Sequence, residues 1–410
     1  FWVGQLSTEA LAAIGFAFPL IFLFQSIGIG LAVAGSVLVA QYEGSGNKNM
    51  VDYTASQTIM FGVLASISFG LLGYISAEKL LTIYGASETV LPLGFSYLKI
   101  IFFGIWGMFG FLIVRSLMRG YGDSRTPMYI MTGSIILNIV LDPILIFGWG
   151  FFPSMGIEGA AIATIFSRAL AFGMGLWMLN SGGNGVEIHL SDMTPDFGFW
   201  KKILEVGIPA SIGTAGRAVS VNLLVAVVGM FSTKVVAGYQ VGLRMIMLVL
   251  FSAMAFGRGV ETMTGQNIGA GNFERAEKVV TVGAKHLFII LSGLGVVFFF
   301  FPDFIVSIFT NDPLVIDYGG TFLRYAALSA GFIGAMRAFL GGFRGAGRTL
   351  VAALLGILTV GVIRFPIAFI ASRFIGPVGV WLAFPISNVS GVGIAYFWFK
   401  RSKWKQKIIE

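Results

Sequence analysis

Hydropathy and turn residues divide the chain into eleven long apolar segments and one fragment. The segments run over roughly 10–40, 52–77, 91–118, 126–149, 156–180, 199–230, 235–266, 275–301, 315–341, 349–371 and 378–399, each long enough for the ~20 residues that cross a bilayer core. Phe1 to Gln5 read as the end of an earlier helix. The predicted fold is an all-α polytopic membrane protein of 12 transmembrane helices, the first one truncated. Its predicted parts are an N-terminal six-helix bundle over 1–180, a cytoplasmic connector over 181–198, a C-terminal six-helix bundle over 199–399 and a basic cytoplasmic tail over 400–410.

The two halves repeat one another in the same direction. Gln41, Gly44, Gly46 and Asn47 match Gln266, Gly269, Gly271 and Asn272 at an offset of 225, as Gly4, Ser7 and Thr8 match Gly229, Ser232 and Thr233. Arg125, Thr126 and Pro143 match Arg348, Thr349 and Pro366 at an offset of 223. Matched turns on one side of the membrane predict two bundles in a parallel pseudo-twofold repeat, about an axis along the membrane normal. With the seventh helix starting near Phe199, the offset places the matching start about 26 residues before Phe1.

Charge sets the orientation. Sixteen Lys and Arg lie near helix ends on one side, among them Lys48, Arg119, Lys201, Arg275, Arg348 and the tail lysines, against Lys79, Lys234 and Arg373 on the other. The positive-inside rule places the connector and C-terminus in the cytoplasm of a multi-pass plasma-membrane protein. The net charge of +8 is therefore a topology anchor beside anionic lipid, and no nucleic-acid partner is expected.

Composition narrows the chemistry. Of 410 residues 56% are hydrophobic and 11% charged, which leaves no room for a large soluble catalytic domain. There is no Cys, and His189 and His286 are the only imidazoles. Disulfides, thiolate metal sites and cysteine nucleophiles are excluded. A membrane-embedded enzyme would need a nucleophile–base pair or metal site at one depth, and none is visible.

One acid stands where charge is expensive. Asp142 lies in an apolar run about 7 residues, or ~10 Å, inside the outer helix end. An ionised carboxylate there needs a cation, a proton or water. Asn138 is on the same helix face four residues earlier. Pro143 cannot donate to the carbonyl four residues back and permits a bend. Tyr97 and Thr164 fall at similar depth on neighbouring helices. Such hard oxygen ligands suit Na⁺, with Asp142, Asn138 and Thr164 as its candidate ligands, or a proton relay. The alternative is that Asn138, Tyr97 and Thr164 are satisfied interhelical polar groups.

The second half differs, with Phe365 at the position of Asp142 and Gly361 at that of Asn138. Arg217, Arg244, Arg258, Arg324 and Arg337 lie within or near its spans. Arg217, in mid-span, must pair, line water or bind an anion, and Arg217 and Arg364 are candidates for a substrate cavity. Arg258 and Arg324 are expected to snorkel to an interface. Glu261 is expected to be a solvated or paired structural acid. Two motifs fail on context: Gly342 to Thr349 looks like a P-loop but joins two membrane helices, and Asn388-Val-Ser390 has glycosylation spacing inside a span.

The Leu141-Asp142-Pro143 run, the Gln-x-x-Gly-x-Gly-Asn turns, the turn at 119–126 and Gly159 to Thr164 together resemble the multidrug and toxin extrusion (MATE) family over essentially the whole chain. The seventh helix, from Ile208 to Arg217, lacks the carboxylate of one branch, and so is more similar to the DinF-type branch. The resemblance implies a secondary exporter exchanging organic, often cationic, compounds for Na⁺ or H⁺, with coupling at Asp142, Asn138 and Thr164 and Tyr97 in the hydrogen-bond network. It also implies an Asp on the first helix, ahead of Phe1. Expected partners are a small organic substrate, the coupling ion and the bilayer, with no cofactor and a monomeric state. The competing reading is an organic-anion or lipid-linked precursor translocator on the same fold, favoured by the second-half arginines.

Overall fold

A computed structural model describes residues 1–150, 152–181, 185–401 and 403–409, and every apolar segment in it is helical, with no strand among the described residues. Residues 182–184 of the expected connector and 402 and 410 of the expected tail lie outside the described residues. After a short 3-10 turn over Trp2–Gln5 come α1 (Thr8–Gly44), α2 (Lys48–Ile83), α3 (Leu91–Phe103), α4 (Ile105–Tyr121), α5 (Arg125–Phe147) and α6 (Gly156–Asn180). Next follow α7 (Phe197–Val228), α8 (Thr233–Gly269), α9 (Phe273–Phe300), α10 (Pro302–Ser307), α11 (Pro313–Ala327) and α12 (Ala330–Gly345). The chain ends with α13 (Thr349–Ile357), a π-helical segment over Leu358–Arg364, α14 (Phe365–Ile375) and α15 (Pro377–Lys400). Among the described residues nine helices are long and apolar enough to span a membrane, or up to eleven when two bent pairs each count as one span.

The bent pairs are where the expected spans 91–118 and 315–341 differ from the structure. The first breaks by 50° between α3 and α4, at Gly104. The second breaks by 50° between α11 and α12, at Leu328 and Ser329. Ser329 is 225 residues after Gly104, so the break itself belongs to the repeat. The matched turns share a backbone requirement too. Gly46 and Gly271 close α1 and α8 at φ 75° and 77°, and Gly122 and Gly347 close α4 and α12 at 121° and 74°. Left-handed φ at a helix C-terminus is what glycine allows without Cβ strain.

The chain divides into two compact units, one of residues 1–39 and 47–211, the other of 40–46 and 212–410. In the first, α2 packs on α3 and α4, and α6 on α3, α4 and α5. Leu20, Leu98, Phe102 and Phe109 fill its centre. In the second, α8 and α12 form the tightest seam, because small residues let the backbones touch. A Cβ on Gly341 would sit 2.4 Å from the Gly257 carbonyl oxygen, and one on Gly345 would sit 2.2 Å from that of Glu261. Beside the seam Tyr239 stacks on Trp381 at 5.6 Å between ring centroids, with Phe322 and Phe384 edge-on to one another.

Segment 40–46 joins the second unit through its own repeat partner. A Cβ on Gly44 would lie 1.9 Å from the Gln266 carbonyl oxygen, and a Cβ on Gly269 would lie 1.9 Å from that of Gln41. Residue 41 faces 269 and residue 266 faces 44, the reciprocity of a local twofold contact. Two like helix ends meet there, so both ends lie at the same level. Gln41 also donates to the Gly345 carbonyl at 3.0 Å and accepts from the Ile408 amide at 3.0 Å. The tail is thus more than a charged anchor: Trp404 is buried against Phe399 and Phe343, and its indole N–H donates to the Phe399 carbonyl at 2.8 Å.

Candidate functional site

Asp142 sits in the first unit on α5, which continues unbroken through Pro143. The expected bend does not interrupt the helix there. The sharp breaks fall at Gly104 and at Leu328–Ser329 instead. Asp142 is half-buried, and its Oδ1 accepts from Asn138 Nδ2 at 3.1 Å. That contact is a single hydrogen bond to a neutral donor, which leaves the remaining carboxylate lone pairs for a cation, a proton or water.

The register of α5 against α6 fixes what stands opposite. The Ser134 hydroxyl donates to the Ser167 carbonyl at 3.0 Å, and the Met155 amide donates to the Leu145 carbonyl at 3.0 Å. Gly159 approaches Leu145 so closely that a Cβ would lie 2.5 Å from its oxygen. Between these anchors the antiparallel pair sets Thr164 level with Asn138, and Ala161 level with Asp142. The Thr164 hydroxyl spends its proton on the Ala160 carbonyl at 2.9 Å, so its oxygen keeps only acceptor capacity, as a cation ligand requires. Tyr97 on α3 packs in the layer of Ala160 and Ala161 and interacts electrostatically with Asp142. Among the described residues no three His, Cys, Asp or Glu side chains gather.

In the second unit the arginines are distributed unevenly. Arg364 is held in the bundle wall: its Nε donates to Ser387 Oγ at 2.9 Å, Nη2 donates to Asn388 Oδ1 at 2.6 Å, and the guanidinium lies 4.3 Å from the Phe384 ring centroid. Asn388 passes the chain on to Ser329 Oγ at 2.9 Å, at the α11–α12 break. The Asn388 that looks like a glycosylation site is therefore an internal strut. Arg324 pairs with Asp303 at 2.7 Å on the surface. Arg258 does not reach for an interface as the sequence suggested. It lies 3.2 Å from Glu261, which is 3% exposed and has Arg344 at 4.0 Å from the same carboxylate oxygen. Arg217 has one hydrogen bond, to the Gly213 carbonyl at 3.2 Å, and packs across Gly356.

The connector, unlike the layer around Asp142, gave little sign in the sequence of how it is held. Asp52 accepts from the Glu187 amide at 2.7 Å, and Ser56 accepts from the His189 amide at 3.1 Å. Gln57 donates to the Asp192 and Thr194 carbonyls at 2.6 and 2.7 Å and accepts from the Trp200 indole at 2.7 Å. The Tyr53 phenol donates to Asp196 at 2.7 Å. With that bond, the Phe199 amide and Lys202 nearby, the Asp196 carboxyl is held below the usual carboxylate range. The only signal for this clamp was a polar run, Asp52 to Thr58, at the start of a membrane helix.

Comparison with known proteins bears on the whole chain. The MatE family model matches residues 1–144 and 209–370. The chain is 29% identical to an FAD transporter of Shewanella oneidensis over 97% of its own length and 88% of that protein's. It is 25% identical to a probable multidrug resistance protein, NorM, of Thermotoga maritima over 100% and 88%. Among solved structures it superposes with a TM-score of 0.90 on an outward-facing multidrug resistance MATE family transporter of the MOP superfamily, at 24% identity over 99% of this chain and 91% of the other. A MOP superfamily transporter of Pyrococcus furiosus, in which reverse polarity of the binding pocket suggests a different function, gives a TM-score of 0.89 at 24% identity over 99% and 91%.

Proposed function

Because the chain belongs to the MatE family, whose members are transporters and not enzymes, we propose that it is a secondary active exporter in which Asp142 is the coupling residue. The observation that carries this is the half-buried carboxylate of α5 with one neutral donor, Asn138, at 3.1 Å. A ligand shifts a conformational equilibrium only by its differential affinity for the two states. A carboxylate in an apolar wall, neutralised in one state and rehydrated in the other, supplies such a difference. Thr164, level with Asn138 and with only lone pairs to offer, favours Na⁺. Tyr97 in the same layer is the natural carrier of a proton relay if H⁺ is the coupling ion.

The cargo has two readings. Similarity to multidrug resistance proteins favours an organic cation, as the family resemblance implies. The arginines of the second unit favour an organic anion or a lipid-linked precursor, a reading in keeping with the FAD transporter of S. oneidensis. The orientation with a cytoplasmic connector and tail, and the monomeric state, belong to this same proposal.

The test is substrate movement in vesicles under separate Na⁺ and H⁺ gradients, with a fluorescent lipophilic cation and a flavin nucleotide as cargoes. Asp142→Asn keeps the size and removes the charge. Gradient-driven export should fall at least tenfold while equilibrium binding of the cargo persists. Unchanged export at equal expression would end the coupling role of Asp142.

A further inference from the structure

We infer that Arg217, Arg258, Arg337 and Arg344 form a phosphoryl-binding site in the second unit, and that this protein carries an organic phosphate. The inference rests on the transport reading above and narrows its substrate. Arg258 stands on α8, Arg337 and Arg344 on α12, and Arg217 on α7. The four guanidinium groups lie within electrostatic reach of one another. Their one acid is Glu261, which Arg258 and Arg344 share at 3.2 and 4.0 Å. Arg217 has only a helix carbonyl, at 3.2 Å. Arg337 has no hydrogen bond or ion pair to any described residue. Four positive charges thus face one negative charge inside a membrane-spanning bundle.

A structural explanation accounts for half of the set. Arg344 sits in the last turn of α12, where the helix dipole and Glu261 both favour a cation. Arg258 pairs with Glu261. Neither argument reaches Arg337, two turns or ~10 Å deeper than Arg344 along α12, or Arg217 in the middle of α7. Uncompensated charge at such depth persists only against water or a counter-ion. The glycine seam matters here. Gly257, Gly341 and Gly345 bring α8 and α12 into backbone contact, so the arginines flanking the seam are forced together despite their repulsion. Arg258 and Arg344 keep 29% and 14% of their side-chain surface open, which leaves donors to offer. A planar guanidinium fork matches the oxygens of a phosphoryl group, giving two parallel N–H···O bonds.

The decisive measurement is calorimetric titration of inorganic pyrophosphate into the full-length protein in nanodiscs of neutral phosphatidylcholine. One saturable site is expected. Arg337→Gln and Arg217→Gln should each weaken it about tenfold or more, and Arg337→Lys should recover part of the loss. Absence of binding at millimolar pyrophosphate, or equal affinity in parent and both Gln variants, overturns the inference. Should either Gln variant fail to fold, the parent still decides. FMN should bind at least tenfold more tightly than riboflavin, the same ring without the phosphoryl group, and pyrophosphate should displace FMN alone. Equal affinity for the two flavins with no displacement overturns the inference as well. Nanodiscs containing phosphatidylglycerol separate the sources: loss of pyrophosphate binding there assigns the phosphoryl group to a lipid headgroup, and unchanged binding assigns it to a soluble cargo. These affinities are read at equilibrium without any Na⁺ or H⁺ gradient, so failure of coupling and failure of this site give different results.

Discussion

Asn138 and Glu261 show how one neutral and one charged partner set the behaviour of their neighbours. Among the described residues Asn138 is the side chain that donates to Asp142. Replacing it by Leu keeps the bulk but leaves the carboxylate without that bond, which, on the proposed coupling role of Asp142, should weaken Na⁺ binding and favour the protonated form. The expected outcome is a transport rate whose Na⁺ dependence is lost before its pH dependence, measured as export against Na⁺ at fixed pH. Glu261 works the other way, as the single counter-charge in a basic neighbourhood. Glu261→Gln removes the compensation of Arg258 and Arg344 and should destabilise the protein by about 3–5 kcal/mol, as breaking a buried pair does. Thermal unfolding of the detergent-solubilised protein reads this directly, and a change under about 1 kcal/mol would mean water already compensates the arginines.

Helices in this protein are held by backbone proximity more than by side-chain volume. Lipid tails are as apolar as a leucine, so apolar residues alone do not draw membrane helices together. Close contact at glycine does that. The reciprocal approach of Gly44 to Gln266 and Gly269 to Gln41 leaves no space for a methyl group. Gly269→Ala should therefore cost about 1–3 kcal/mol, the usual penalty for overpacking, while Gly133→Ala, with open space around it, should cost nothing measurable by the same thermal assay. The paired 50° breaks at Gly104 and Ser329 belong to this scale too. In each half they put a non-helical joint inside a span, where hydropathy sees one continuous segment.

At the scale of the whole chain, the connector and the tail are clamped rather than merely tethered. Asp196 is held below its unfolded pKa of about 3.9 by the Tyr53 phenol and the Phe199 amide. A carboxylate depressed in the folded state stabilises above the unfolded value, and that stability is lost as pH falls through the folded one. Connector protection, followed by hydrogen exchange at the Phe199 and His189 amides, should stay flat from pH 8 to about 5 and weaken only below about 4. Tyr53→Phe should move that loss upward in pH. The tail behaves like a plug: with Trp404 buried on Phe399 and the Ile408 amide on Gln41, removal of residues 403–410 should lower the melting temperature, not merely the topological bias.

The amino-acid sequence by itself determined the spans, the repeat and the one costly acid. Each follows from a local property: runs of apolar residues long enough for a bilayer, turns repeated at offsets of 223 and 225, and a carboxylate in an apolar run whose nearest polar helix neighbour is the neutral Asn138. Tertiary structure decided the rest. Whether Arg258 reaches an interface or Glu261 depends on a residue three positions away that only a rotamer brings into range. Whether Arg364 lines a cavity depends on Ser387 and Asn388, 23 and 24 residues distant. The π-helical segment over Leu358–Arg364 stands where the first half keeps the α-helix that carries Asn138 and Asp142. Hydropathy records how favourably each residue meets lipid, and it is indifferent to which face meets which partner. Arg258, Arg337 and Arg344 are brought together because glycines between α8 and α12 permit a close approach, and that contact is a property of the packed chain alone.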